Sequence, residues 1–327
     1  MEHIQRIQDF AQLKILADPR RLAILRLVMA RSYTLSQLGD VLELHPAKVR
    51  HHLKQLESAG LVELVDTRVV RGFVEKYYLA RARAFTLQEL ILPDVDKPNT
   101  LIILGSHDLA LELLSEQTTD TAVLTIPVGS LEGLIALRQG SAQIAGCHLL
   151  DVESGEYNLP YVRHFFPDRA VTLVTLANRE QGLIVAPGNP LGIRDVEDIS
   201  QPGVRLVNRN LGSGTRLWLD RRIETLGLPT ESMEGFTNEV RTHTRVAEII
   251  ANGGADVGLG VRAAAQQHQL DFVPLFQERY DLVIPQEQMA TQILSPLLDH
   301  LQSSAFRRSV SQLNGYDTGH TGEQIAP

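Results

Sequence analysis

Cysteine is almost missing from this 327-residue chain. Cys147 stands alone, so no disulfide can close within it and no pair of thiolates is on hand for a soft metal. A reducing cytoplasm suits such a chain. Long apolar runs are missing too: nowhere do eighteen uncharged apolar residues follow one another, which rules out a membrane-spanning helix. The opening MEHIQRIQDFAQLKIL mixes acids and amides with its apolar residues and lacks a small-residue cleavage site, so it does not read as a secretory leader. There is no P-loop, no H-E-x-x-H helix and no C-x-x-C pair, leaving catalysis and structural zinc without a recognisable motif. No cofactor is implied.

Charge is present but unevenly placed. The net −8 comes from 31 Lys+Arg against 39 Asp+Glu; residues 1–90 hold 14 and 10 of these, the remainder 17 and 29. A mildly basic head on an acidic body confines contact with phosphate to the head. The length exceeds one compact core and allows two or three domains, and 43% apolar with 21% charged residues is an ordinary globular balance.

In the head, Asp18-Pro19 opens PRRLAILRLVMA, with apolar residues at helical spacing, Asp18 as cap and Pro19 in the tolerant first turn. Thr34 can cap a short second helix, TLSQLGDVLEL, with Leu35, Leu38, Val41 and Leu42 inward. A third begins at Pro46, with Val49, Leu53 and Leu56 inward and Gly60 as its stop. Its other side carries Lys48, Arg50, His51, His52 and Lys54. LVELVDTRVV and GFVEKYYLA then alternate as the arms of a β-hairpin bearing Arg68, Arg71 and Lys76. This order makes a winged helix-turn-helix: the basic helix enters the major groove of double-stranded DNA and the wing meets the flanking backbone. His51 and His52 point about 100° apart, which suits DNA contacts better than a shared metal.

The signature LKILADPRRLAILRLV…LSQLGDVLELHPAKVRHHLKQLESAGLVE resembles the ArsR-type winged helix over most of residues 10–80. Many members of that family sense metals through thiolates on the helix before recognition; here SQLGDVLEL has none, so no metal site is expected. Apolar stripes flank the winged helix (Ile4, Ile7, Phe10 and Leu13 before it, Phe85, Leu87 and Leu90 after it) and are the expected dimer surface, as the resemblance also implies. A two-fold homodimer reads a palindromic operator with half-sites about one turn apart. Residues 1–90 form this domain, and 91–99, polar with two prolines, form a stiff linker. The tail from Asn314 is polar and expected to fray, unless Gly315-Tyr316-Asp317 docks.

From residue 100 to 327 short apolar strands alternate with helices, the rhythm of α/β layers with largely parallel sheets. Ligands of such sheets bind beyond the carboxyl ends of strands, beside helix N-termini. Four turns fit: Gly105-Ser106-His107, Val128-Gly129-Ser130, the stretch from Asn208 to Arg216 containing GSGTR, and Glu278-Arg279-Tyr280. Their hydroxyls and backbone N–H groups can receive an anion, with Arg209 and Arg216 as fork-shaped donors. GSGTR alone is equally well a tight turn and helix cap; three such turns together favour an anion site.

REQGLIVAPGNPLGI (179–193), NRNLGSGTR (208–216), GGADVGLGVRAAA (253–265) and DFVPLFQERYDLVIP (271–285) are similar to a periplasmic-binding-protein-like, molybdate-binding-related domain of cytoplasmic regulators. The resemblance spans residues 99–319 and implies two α/β lobes joined by crossing strands. It carries a ligand site onto Ser106, Ser130, Ser213, Gly214 and Thr215, together with Arg179, Arg209, Arg216, His243 and Tyr280; His107 joins them from its turn. Gly258, Gly260 and Ala263 match a dinucleotide G-x-G-x-x-A pattern, but late in the domain and without an acidic ribose partner, so packing is the better reading. Cys147 and His148 are strand neighbours that face opposite ways, and Asp108 has no evident acid–base partner. The expectation is a regulator, not an enzyme, sensing a small oxyanion such as molybdate or tungstate. Two alternatives stay open: an organic effector (a carboxylate or molybdopterin-like compound), and a DNA-tethered small-molecule enzyme. Aromatic residues at 5% lean towards the small anion.

Overall fold

A computed structural model describes residues 2–7, 10–70, 72–86, 100–119 and 121–327. Arg71, Leu87, Leu90 and the linker at 91–99 lie outside the described residues, as does the side chain of Ile4. The chain divides into two compact units, Met1–Leu92 and Pro93–Pro327.

The first unit runs β1 (Glu2–Arg6), α1 (Phe10–Leu16), α2 (Pro19–Ala30), α3 (Leu35–Leu42), α4 (Pro46–Ser58), β2 (Val62–Val70), β3 (Phe73–Ala80) and β4 (Ala82–Thr86). Local sequence sets the helix starts. Asp18 accepts from the N–H groups of Arg20 and Arg21, and Thr34 forms a reciprocal capping box with Gln37. Gly60, at φ 69°, takes the left-handed turn that ends α4. Ile24, Leu25, Val28, Leu38, Val49, Leu53 and Leu56 form the core, whereas Val41 is 54% exposed, contrary to the inward set expected for α3. The flanking stripes also differ from expectation. β1 pairs in parallel with β4, Ile7 is buried in the unit's own core, Leu13 and Phe85 pack against it, and Phe10 is exposed. An apolar stripe cannot tell a neighbouring chain from a neighbouring strand.

The second unit is a 10-stranded sheet with helices around it. In chain order come β5 (Thr100–Gly105), α5 (Leu109–Gln117), β6 (Ala122–Pro127), α6 (Ser130–Arg138), β7 (Ile144–Cys147), α7 (Leu159–Phe165) and β8 (Val171–Val185). Then follow β9 (Leu206–Arg209), α8 (Gly214–Leu226), β10 (Glu239–Val240), α9 (His243–Ala251), β11 (Val257–Val261), α10 (Arg262–Gln267) and β12 (Asp271–Pro285). The chain ends with α11 (Gln286–Met289), α12 (Ser295–Gln302), α13 (Ser304–Val310), β13 (Tyr316–Asp317) and β14 (Gln324–Ile325).

Two parallel cores, β6-β5-β7 and β10-β9-β11, define two lobes. The antiparallel pair β8 and β12, 15 residues each, runs through both and joins them. Glu278-Arg279-Tyr280, expected as a turn, lies inside β12, because the strand keeps pairing with β8 on both sides of it, with a register shift between Tyr280 and Asp281. The tail does not fray: Tyr316 and Asp317, and again Gln324 and Ile325, pair with β8. A polar strand edge supplies backbone partners that composition does not advertise. Among the described residues no helix is long and apolar enough to cross a membrane.

Candidate functional site

On α4 the 3.6-residue period separates the two faces. Lys48, Arg50, His51 and Lys54 are exposed, while Val49, Leu53 and Leu56 are buried. His52 departs from its expected role as a DNA contact: it is 8% exposed and faces the core. Burial lowers its pKa below the usual 6.5, so the ring stays neutral. In the hairpin Lys76 is exposed, whereas Arg68 pairs with Asp66 at 2.6 Å and stacks over Tyr77, which ties part of its charge locally.

The second site forms where the lobes meet. β5, β6 and β7 deliver Ser106, Ser130 and His148 from one lobe; β9 and α9 deliver Arg209 and His243 from the other. The crossing strands carry Arg179 and Gln181 on β8, and Glu278 and Tyr280 on β12. Alternation puts residues two apart on the same face, and the register sets Glu278 directly opposite Arg179. All these side chains are buried. The lobes are in contact: the N–H of Leu131 donates to the carbonyl of Gly212 (3.2 Å), Asn210 Nδ2 donates to the carbonyl of Val128 (3.0 Å), and the N–H of His243 donates to His107 Nδ1 (3.3 Å).

Arg179 lies at the centre. Its Nε donates to Glu278 Oε1 (2.6 Å), its Nη1 to Asp108, and its guanidinium sits 4.8 Å above the Tyr280 ring. Asp108, which the sequence left without a partner, also accepts from the Tyr316 hydroxyl at 2.8 Å. Glu278 further accepts from Gln181 Nε2 (2.7 Å) and pairs with His148 Nδ1 (2.8 Å). Arg209 is different. It is 1% exposed and makes no ion pair among the described residues. Its Nη1 lies 2.8 and 2.9 Å from the two ring nitrogens of His243, and its Nη2 donates to the carbonyl of Arg241 at 2.9 Å.

Electrostatics follow from this arrangement. Burial, and then Arg179, lower the Arg209 pKa to about 9, a large loss for a guanidinium. Burial alone would raise Glu278, but His148 and Arg179 outweigh it and hold that carboxyl at about 2. Burial lowers His148, and burial followed by Arg209 lowers His243 well below 6.5. With His148 neutral and its Nδ1 hydrogen directed at Glu278, Nε2 keeps a lone pair. Four buried atoms here have no hydrogen-bond partner: His148 Nε2, Arg179 Nη2, Gln181 Oε1 and Arg209 Nε. Such groups are costly to leave unmet and are expected where a ligand binds.

The other residues singled out in the sequence sort by what already occupies them. Ser106 Oγ lies 3.0 Å from Ser130 Oγ, which also accepts from the N–H of His148 at 3.3 Å; Tyr280 is committed to the Ser106 carbonyl at 2.5 Å. Ser213 Oγ caps α8 by accepting from the Arg216 N–H (3.3 Å) and donates to the Asn210 carbonyl (2.8 Å). Thr215 Oγ1 accepts from Gln181 at 3.2 Å. Gly214 is a packing requirement, since a Cβ there would stand 2.1 Å from the His148 carbonyl. Arg216 turns aside to Asp220 (2.7 Å) and Glu239 (2.9 Å). His107 pairs with Glu112 at 2.9 Å. A cavity of about 110 Å³, lined in part by Ser106, His107 and Thr242, adjoins these turns. Sequence reasoning missed Gln181, set His148 aside with Cys147, and named Glu278 only as part of a turn, not as a site residue. The strand-end rule that selected Ser106 also applies to His148 after β7; Gln181 and Glu278 needed the strand register. Gly258 and Gly260 pack against Val207, Val246 and Ile184 and form no nucleotide loop.

Fold and cleft together define a class: a DNA-binding winged helix fused to a two-lobed ligand-binding domain. Residues 111–302 match the family described as PBP superfamily domain, and residues 18–63 match the bacterial regulatory protein, arsR family. The chain belongs to the PBP superfamily domain family, with an ArsR-type helix-turn-helix in front. It is 34% identical over 233 residues to the uncharacterized protein YvgK of Bacillus subtilis (strain 168), covering 70% of this chain and 74% of that one. An uncharacterized protein in the ferredoxin 2Fe-2S gene 5′ region of Clostridium pasteurianum is 38% identical over 108 residues, 33% of this chain and 96% of that one. Among solved structures, the tungstate ABC transporter from Geobacter sulfurreducens aligns at 14% identity and a TM-score of 0.47, over 66% of this chain and 100% of that one.

Proposed function

We propose that the protein is a homodimeric transcriptional regulator of a palindromic operator, and that its cleft binds a small oxyanion of the molybdate or tungstate kind without transforming it. The observation that carries this reading is Arg209, a buried guanidinium with no carboxylate beside it and a free Nε. Arg179 Nη2 and the Ser106–Ser130 hydroxyl pair supply further donors close by, and a water-excluded site strengthens each of them. An oxyanion needs only such donors, whereas an organic ligand needs apolar walls, which this cluster lacks.

The test is the melting temperature of the full chain against molybdate, tungstate, sulfate, phosphate and small carboxylates. An anion at about 100 times its Kd adds roughly 2.7 kcal/mol of stability, a readily visible shift. Stabilisation by molybdate and tungstate alone identifies the effector class; stabilisation by a carboxylate alone transfers the cleft to an organic acid. No shift with any of them overturns the oxyanion reading and leaves the DNA-binding half standing.

A further inference from the structure

A second concavity of about 650 Å³ has Gly214, which packs against His148, in its lining. Leu149, Leu150 and Tyr161 line it from one lobe, and Leu217, Trp218 and Leu275 line it from the other. It is several times larger than the space beside the buried cluster, and it has the Trp and Tyr wall that this space lacks. Trp218 is half-buried and rigid, its ring stacked on Phe276 at 4.1 Å between centroids. It is also the chain's single tryptophan.

Three arginines and two aspartates line this groove. Asp195 caps the turn at Val196 and Asp151 accepts from Ser154, and both keep their charge. Arg221 pairs with Glu224 at 2.6 Å, but Arg222 reaches Glu197 only at 3.7 Å. Arg194 is exposed, and its guanidinium makes no ion pair or hydrogen bond among the described residues. One free cation and one loosely held cation border a flat aromatic wall.

We propose that this groove is a separate effector site for a flat organic anion, with its ring on the Trp218 wall and its carboxylate or phosphate at Arg194 and Arg222. Because both lobes line the groove, an occupant holds them together, so it acts on the same closure as an anion in the cleft while touching none of the same side chains. The proposal does not depend on what the cleft binds.

The test uses 2-naphthoate as probe on the full chain, with its neutral counterpart 2-naphthylmethanol, read by calorimetry and by Trp218 emission. The expected result is saturable one-site binding of naphthoate that changes Trp218 emission, with the neutral probe at least tenfold weaker. Arg194→Ala combined with Arg222→Ala should weaken naphthoate about tenfold, as loss of two partly screened contacts implies. Arg245→Ala, at an exposed arginine outside the groove, should leave naphthoate binding unchanged. Absence of saturable binding, equal affinity for the two probes, or undiminished naphthoate binding in the double arginine variant would each overturn the separate anion groove. Oxyanion binding without naphthoate binding sinks only the groove; the reverse sinks only the reading of the cleft.

Discussion

A guanidinium buried without a carboxylate destabilises a fold unless a ligand meets it. Arg209 is in that position, with a pKa already pulled down to about 9 by burial and by Arg179. Arg209→Met keeps most of the volume and removes the charge. The ligand-free melting temperature should therefore stay level or rise, while stabilisation by oxyanion disappears. A fall of several degrees without ligand would mean that Arg209 is held by the fold for its own sake. A second consequence concerns protons. Arg179 pairs with both carboxylates, Asp108 and Glu278, so with Arg209 the four formal charges sum to zero and an incoming anion adds one that is uncompensated. His148 is the group able to respond, because its neutral ring carries an unpartnered Nε2 and its pKa lies below 6.5. An anion raises that pKa, so between the free and bound values binding takes up a proton. Affinity for an anion fully ionised over the range should rise as pH falls below the bound value, by at most tenfold per pH unit. Calorimetry in buffers of different ionisation enthalpy counts the protons, and His148→Gln should flatten the profile.

Helix α4 shows at the element scale what a sequence period can and cannot say. Its inward residues were legible from spacing, and so was the exposure of Lys48, Arg50 and Lys54. His52 was misplaced because a histidine suits either face, and only packing against α2 and the core decides. His52 should therefore separate experimentally from the exposed basic residues of α4. Arg50→Ala and Lys54→Ala should each weaken duplex binding and reduce the slope of log affinity against log salt by about 1. His52→Ala should instead lower the melting temperature, leaving the salt slope intact. The cleft was legible in part for a related reason. Ser106, Ser130 and Arg209 follow strands, so a local rule finds them. Glu278 and Gln181 join them only through the register of β8 on β12, a pairing about 100 residues apart that no local pattern encodes. The same blindness hid the docking of the tail, where Tyr316 reaches Asp108 across 208 positions.

For the whole molecule the question is how a ligand in the second unit changes what the first unit does on DNA. A ligand shifts an equilibrium only by the difference in its affinity for two states. Within the second unit, the closed state is held by few direct bonds between lobes: Leu131 to Gly212, Asn210 to Val128, and His243 to His107. A ligand that touches both lobes adds to these bonds and can bias closure. Asn210→Ala removes one of these bonds and should weaken oxyanion binding, leaving ligand-free affinity for DNA unchanged. In the unaltered protein, saturating oxyanion should change affinity for a duplex selected from random sequence by about 5–150-fold, the range of ordinary allosteric coupling. Linkage makes that figure checkable from the other side. The same duplex, added first, must change oxyanion affinity by the same factor, and in Asn210→Ala both factors must move together. Unequal factors would mean that the two measurements report different species, and a factor of one in both directions would leave the two units fused but uncoupled.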